Sequence, residues 1–315
     1  MSDTNASLRR KITSAGDLQS VVRTMKALAA SSISQYEQSA RALTDYYRSV
    51  ELGLSVCFRR SAPTVLMKGK GRTDEASLGA IVFGSDQGLV GQFNDLVSDF
   101  AVQTLTAIPG KPEVWAVGER VHGRLSDAGL PLVGLFTVPN SVKAISPLVG
   151  QILVESESRY SEGKFTELHL FYNCPTSGAA YAPVSQRLLP LDEVWRRNLA
   201  EFPWPTGNLP EVMGGETATL RALIHEYLFV SIFRACAESL ASENTSRLEA
   251  MQRADKNIDE LLEHLNGTFH RLRQSGIDEE LFDITSGFEA LSQRKARGVG
   301  IEGASSHDEE ENQFQ

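Results

Sequence analysis

Residues 220–272 read LRALIHEYLFVSIFRACAESLASENTSRLEAMQRADKNIDELLEHLNGTFHRL. Apolar or small residues recur at Leu220, Leu223, Tyr227, Val230, Phe233, Ala237, Leu240, Leu248, Met251, Ile258, Leu261, Leu265, Phe269 and Leu272. Steps of three and four residues form a narrow stripe along one face of an α-helix. The stripe weakens around Asn244, where one turn is polar. Beyond Gly276, a candidate kink, it resumes at Leu281, Ile284, Phe288 and Leu291. All twelve prolines fall between Pro63 and Pro210. A proline inside a helix costs ~3 kcal/mol or more, so its absence from 211–315 permits one long helix. About 75 residues at ~1.5 Å each would span roughly 110 Å.

The other end of the chain has the same character. Leu8, Ile12, Ala15, Leu18, Val22, Met25, Ala29, Ile33, Tyr36, Ala40, Leu43, Tyr47, Val50 and Leu54 keep the spacing. Ser2, Asp3 and Thr4 offer N-caps. Gly16 interrupts the helix at a cost of roughly 1 kcal/mol. Fifty residues give a rod of about 75 Å. Two stripes at opposite chain ends cannot bury themselves alone, and the economical arrangement is an antiparallel coiled coil of first helix against last. The last helix is the longer, so part of it is expected to project and to need another protein around it.

Between the helices lies an α/β pattern. LGAIVF (Leu78–Phe83), EVWAV (Glu113–Val117) and LHLFY (Leu168–Tyr172) are short apolar runs suited to strands buried on both faces. Helical stretches at Asn94–Thr106 and Ser141–Tyr160 alternate with them. Residues 61–77 and 201–216 read as loops. The expected organisation is a helix over 1–60, an α/β domain over 61–210, a second helix over 211–291 and a disordered acidic tail over 292–315. The fold class is α/β, with a long antiparallel coiled coil and a central Rossmann-like domain.

Of the 315 residues, 41% are hydrophobic and 23% charged, a globular balance. The net charge of −9 disfavours a nucleic-acid binder. Three distant cysteines, Cys57, Cys174 and Cys236, give no disulfide framework and no zinc spacing. No signal core and no long apolar window is evident. The expected location is the cytosol, or the cytosolic side of a membrane without entry into it.

Chemistry is sparse. Gly84-Ser-Asp-Gln-Gly-Leu-Val-Gly91 follows a strand and precedes a helix, as a phosphate loop does. Its spacing is neither the dinucleotide fingerprint nor a Walker A loop, and a structural tight turn is the favoured reading. The six histidines show no metal spacing. Ser177 and Ser185 lack a nucleophile-elbow context. Neither a cofactor nor a metal is expected. Asp278, Glu279, Glu280 and Asp283 form an acidic patch suited to a solvated face or a partner contact. Glu243 and Arg247 stand four residues apart where the stripe turns polar. They read as one helix ion pair worth a few tenths of a kcal/mol. A register point, or a grip on an outside partner, is the sharper alternative.

Several of these segments together resemble the γ subunit of F-type ATP synthases. Near the start, Ile12-Thr-Ser14, Gln19 and Arg23-Thr-Met-Lys-Ala-Leu-Ala-Ala30 resemble a family stretch. Ser85-Asp-Gln-Gly-Leu-Val-Gly91 through Asn94 resembles its glycine-rich turn, and Pro183–Leu191 another segment. The strongest likenesses are Ser239–Asn257 and Ile277-Asp-Glu-Glu-Leu-Phe-Asp-Ile-Thr-Ser-Gly287. Departures from the pattern are Asp278, Phe288, Ser31, Ser32, Val90 and the 24 residues after Leu291. They mark a divergent branch, such as an alternate F-type ATPase.

The resemblance implies a central rotor shaft that does no chemistry itself. It couples transmembrane ion flow to ATP synthesis or hydrolysis in a ring of three α and three β subunits. It also implies the ε subunit and the membrane c-ring as partners, no nucleic acid, and a peripheral place on the cytoplasmic face of an energy-transducing inner membrane. By the motif match, Met25, Lys26, Arg247, Gln274 and Glu280 are expected to contact the catalytic subunits. The acidic tail is expected to modulate rotation. Two rivals stand beside this reading: a coiled-coil scaffold with an α/β head, and a nucleotide-binding enzyme using the Gly84–Gly91 turn.

Overall fold

Among the described residues the chain forms eleven elements. The computed structural model describes residues 5–60, 78–108, 110–177, 180–191, 193–211 and 215–302. In chain order these are α1 (Asn5–Arg60), β1 (Leu78–Phe83), α2 (Phe93–Thr106), β2 (Glu113–Val117), α3 (Glu119–Asp127), β3 (Leu132–Phe136), α4 (Val142–Ser161), β4 (Glu167–Cys174), β5 (Ala182–Leu189), α5 (Glu193–Ala200) and α6 (Glu216–Glu302). Gly16 interrupts nothing in α1, and α6 runs unbroken through Gly276. The boundary expected at Leu291 does not appear: α6 continues to Glu302. The expected loop at 61–77 and the tail residues after Glu302 lie outside the described residues.

The chain forms two compact units, Val22–Arg253 and Met1–Val21 with Ala254–Gln315. In the smaller unit the first turns of α1 run antiparallel to α6. Arg9 stacks its guanidinium 5.3 Å over the Phe269 ring, while Gln19, ten residues on, donates to Asp255 and Asp259. Leu8, Ala15 and Ile258 from the two stripes are buried there. In the larger unit the same sense holds, for Tyr36 of α1 is within electrostatic reach of Glu243 while Tyr46, ten residues on, meets Glu226. The Tyr46 hydroxyl donates to Glu226 at 2.7 Å, and the Tyr47 and Tyr227 rings lie 5.5 Å apart.

The larger unit is built on a five-stranded sheet of order β3-β2-β1-β4-β5. β1, β2, β3 and β4 are parallel, and β5 closes one edge antiparallel to β4. Alternation along β1 explains why it reads as one apolar run. Leu78, Ala80 and Val82 join a core with Val97, Ala101 and Leu105 of α2 and Val121 and Leu125 of α3. Ile81 and Phe83 face the opposite core, with Ile145, Val149 and Ile152 of α4. A strand covered on both faces has no side left for polar residues.

That second core has a component absent from the expected boundaries. Val50, Leu54, Cys57 and Phe58 of α1 and Leu220, Ile224, Leu228, Ile232 and Leu240 of α6 belong to it. The ends of the two long helices are therefore a layer of the α/β domain. Trp195 of α5 sits edge-on to both Phe58 and Tyr227 and donates its indole N–H to the Tyr227 hydroxyl.

The turn from β1 to α2 is sterically specified. A Cβ on Gly84 would meet Val121 Cβ at 2.4 Å, whereas one on exposed Gly123 of α3 would meet nothing within 4 Å. Gly84→Ala should therefore destabilise the chain by ~1–3 kcal/mol through overpacking. Gly123→Ala should stabilise it by ~0.5–1 kcal/mol through the helix entropy it removes. Urea midpoints of the two purified variants check both signs.

Candidate functional site

A parallel sheet with strand order 3-2-1-4-5 has a switch point where the connections diverge. Ligands of such folds sit there, beyond the carboxyl ends of the central strands. In this chain the switch lies beyond β1 and β4, next to the Gly84–Gly91 turn. Its occupant is α6. Ser246 donates its hydroxyl to the Val90 carbonyl of the turn. Ser242, one helical turn earlier, donates to the carbonyl of Asn173 near the end of β4 at 2.9 Å. The Tyr181 hydroxyl lies 3.0 Å from Ser246 Oγ.

The turn directs its polar groups inward. Asn94 accepts from the Ser85 amide at 3.0 Å and donates to Ser85 Oγ at 2.8 Å. Ser85 Oγ in turn donates to the Gln87 carbonyl at 2.8 Å. The Gly84 amide donates to Val117, and the Arg120 amide to the Ser85 carbonyl. The Asp86 carboxylate accepts from the Glu119 amide at 3.0 Å and the Val138 amide at 2.9 Å, tying the loops after β2 and β3 to the one after β1. Asn173 donates to the Phe93 carbonyl at 2.9 Å and fixes β4 to the start of α2. These bonds make the turn structural, as its spacing indicated.

The polar turn of α6 is now explained. Ser239, Ser242, Glu243, Asn244 and Ser246 are all buried. Arg247 donates to Glu243 at 2.6 Å, with side chains only 14% and 7% exposed. Burial raises the Glu243 carboxyl above its ordinary value; Arg247 opposes the shift and Asp86 adds to it. Tyr36 of α1 is raised as well, by burial and then by the Glu243 charge, so the pair is within electrostatic reach of α1.

The expected site residues divide between the units. Met25 and Lys26 are half-buried on α1 and Arg247 is mostly buried on α6, all in the larger unit. Gln274 and Glu280 are exposed on α6 in the smaller unit. Around them Ile277, Leu281, Phe282, Ile284, Phe288 and Leu291 are also exposed. Sequence reasoning missed Ser242, Ser246, Asn173, Tyr181 and Asp86. The available signal was the polar interruption of an otherwise apolar stripe. Among the described residues no group of three or more His, Cys, Asp or Glu is arranged to hold a metal.

The Glu243 shift carries a pH dependence. A carboxyl whose folded value is raised gives up its proton first in the unfolded chain, so its contribution to stability falls as pH climbs from about 4.5 through the raised value. Glu243→Gln does not titrate and should gain stability relative to the native chain over that window. Urea unfolding of both at pH 4 and pH 8 checks the sign. An unchanged or reversed gap would mean that Arg247 outweighs burial.

Comparison with known proteins extends across the whole assembly of elements. Residues 4–291 match the family model described as ATP synthase. The ATP synthase gamma chain of Rhizobium johnstonii is 29% identical over 297 residues, covering 90% of this chain and 98% of that one. That of Nitrosomonas eutropha is 26% identical over 296 residues, with the same coverages. Among solved structures, a chain of the Euglena gracilis mitochondrial ATP synthase, in a structure of OSCP, F1 and the c-ring, matches with a TM-score of 0.61. That match has 16% identity and covers 92% of this chain and 95% of the other. A chain from the central stalk and c-ring of the Tetrahymena thermophila enzyme matches with a TM-score of 0.53 at 18% identity, covering 74% and 99%.

Proposed function

This chain belongs to the family of ATP synthase gamma chains, and on that premise we propose how its parts serve a rotor. It is the central shaft, a non-catalytic subunit of the complex. Its partners are the α and β subunits of the catalytic ring, the ε subunit and the membrane c-ring. The observation that carries this reading is the family match over residues 4–291, which takes in both long helices and the domain between them.

Mechanically, α1 and α6 form the shaft within the ring. Their faces differ, so each catalytic subunit meets a different surface, and those differential contacts bias its open and closed states. The exposed apolar residues Ile277–Leu291 of α6 supply the face that the ring encloses. Gln274 and Glu280 flank that face as contacts with the β subunits, and Met25, Lys26 and Arg247 serve as contacts nearer the domain. Among the described residues no helix is long and apolar enough to cross a membrane. This supports a peripheral position, which we place at the cytoplasmic face of an energy-transducing membrane.

The chain, tagged and isolated from its native membranes in mild detergent, should appear as one copy with three α and three β subunits and with ATPase activity. A bare homo-oligomer without ATPase would favour a scaffold and overturn the rotor reading. Arg247→Ala should lower proton- or sodium-driven ATP synthesis in the assembled complex. Normal synthesis with intact assembly would remove Arg247 from the coupling contacts.

A further inference from the structure

Hydroxyls on a helix usually fold back to the carbonyl four residues earlier. In α6, Ser231 does so to Tyr227, Thr245 to Ala241, Thr268 to His264 and Thr285 to Leu281. Ser242 and Ser246 differ. One turn apart, they donate across to the carbonyls of Asn173 and Val90. The acceptors belong to separate segments of the α/β domain, the end of β4 and the turn after β1. Both segments are themselves fixed, by the Asn173 bond to Phe93 and by the Ser85–Asn94 pair. Both serines are buried, so water does not compete for these bonds.

We propose that Ser242 and Ser246 are positioning residues that lock the angular and axial register between the α/β domain and the shaft helix, so that torque applied to one is carried by the other. The apolar contacts around them hold the layers together but are non-directional, so by themselves they do not single out a register as bonded hydroxyls do. Two directional bonds to rigid carbonyls resist both rotation of α6 about its axis and translation along it. The proposal rests on the rotor reading, in which the domain and the ring-enclosed part of the shaft take up opposite ends of the torque.

The test compares the intact membrane complex carrying Ser242→Ala with Ser246→Ala against one carrying Ser231→Ala. Ser231 is equally buried on the same helix, but its hydroxyl stays within it. The readout is the ratio of ion-driven ATP synthesis to ATP hydrolysis by the detached catalytic part, where no torque passes through the domain. The double variant should lose several-fold in that ratio while hydrolysis holds, and Ser231→Ala should leave it unchanged. An unchanged ratio in the double variant, an equal fall in Ser231→Ala, or failure of the double variant to assemble would each overturn the proposal. Failure of the native chain to co-isolate with α and β subunits would instead overturn the rotor reading.

Discussion

The seat of α6 at the carboxyl ends of β1 and β4 is the constraint on which the larger unit depends. In a sheet of this topology that crevice is open to a ligand. Here Ser242 and Ser246 enter it and bond to Asn173 and Val90. A helix that is apolar along one stripe could pack on the sheet in several registers a turn apart. The buried polar turn selects one of them, because a slip would break the bonds of Ser242 and Ser246 to Asn173 and Val90 and leave those buried groups without partners. The cost of burying those groups is the source of the specificity.

A second consequence concerns the ends of the long helices. Val50–Phe58 of α1 and Leu220–Leu240 of α6 cover one face of the sheet, opposite α2 and α3. The α/β domain therefore cannot complete its core without the helices. Nor is either helix end a free rod. For a shaft, this makes the junction between domain and coil a shared core in place of a hinge.

Much of the fold was legible because burial dictates composition. β1 and β2 lie where their apolar runs place them, and α2 and α4 fall within a residue of expectation. β3 was missed because Gly134 breaks its run. A Cβ there would meet Trp115 Cδ1 at 2.7 Å, so the glycine answers to packing on β2 and leaves the sequence looking like a loop. β5 was missed because it is an edge strand that opens on Ala182 and Pro183 and carries the polar residues Ser185, Gln186 and Arg187. The antiparallel sense of the coil was legible from its two stripes. The role of the polar turn was not, since its partners Asn173 and Val90 are 69 and 156 residues away. Glu243 and Arg247 were legible as a helix pair, but their burial was not, since the spacing of a helix pair is the same on an exposed face.

The central claim is that the α/β domain turns with the ends of α1 and α6 that complete its core when the catalytic ring works. Val154 on α4 is exposed, whereas Cys57 and Cys236 are buried and Cys174 half-buried. A probe attached through Val154→Cys would therefore report the motion of the domain alone. With the ring immobilised and ATP supplied, stepwise rotation of that probe in one direction, with three pauses per turn, is the result the account predicts. A probe that stays still while the same molecules hydrolyse ATP would contradict it.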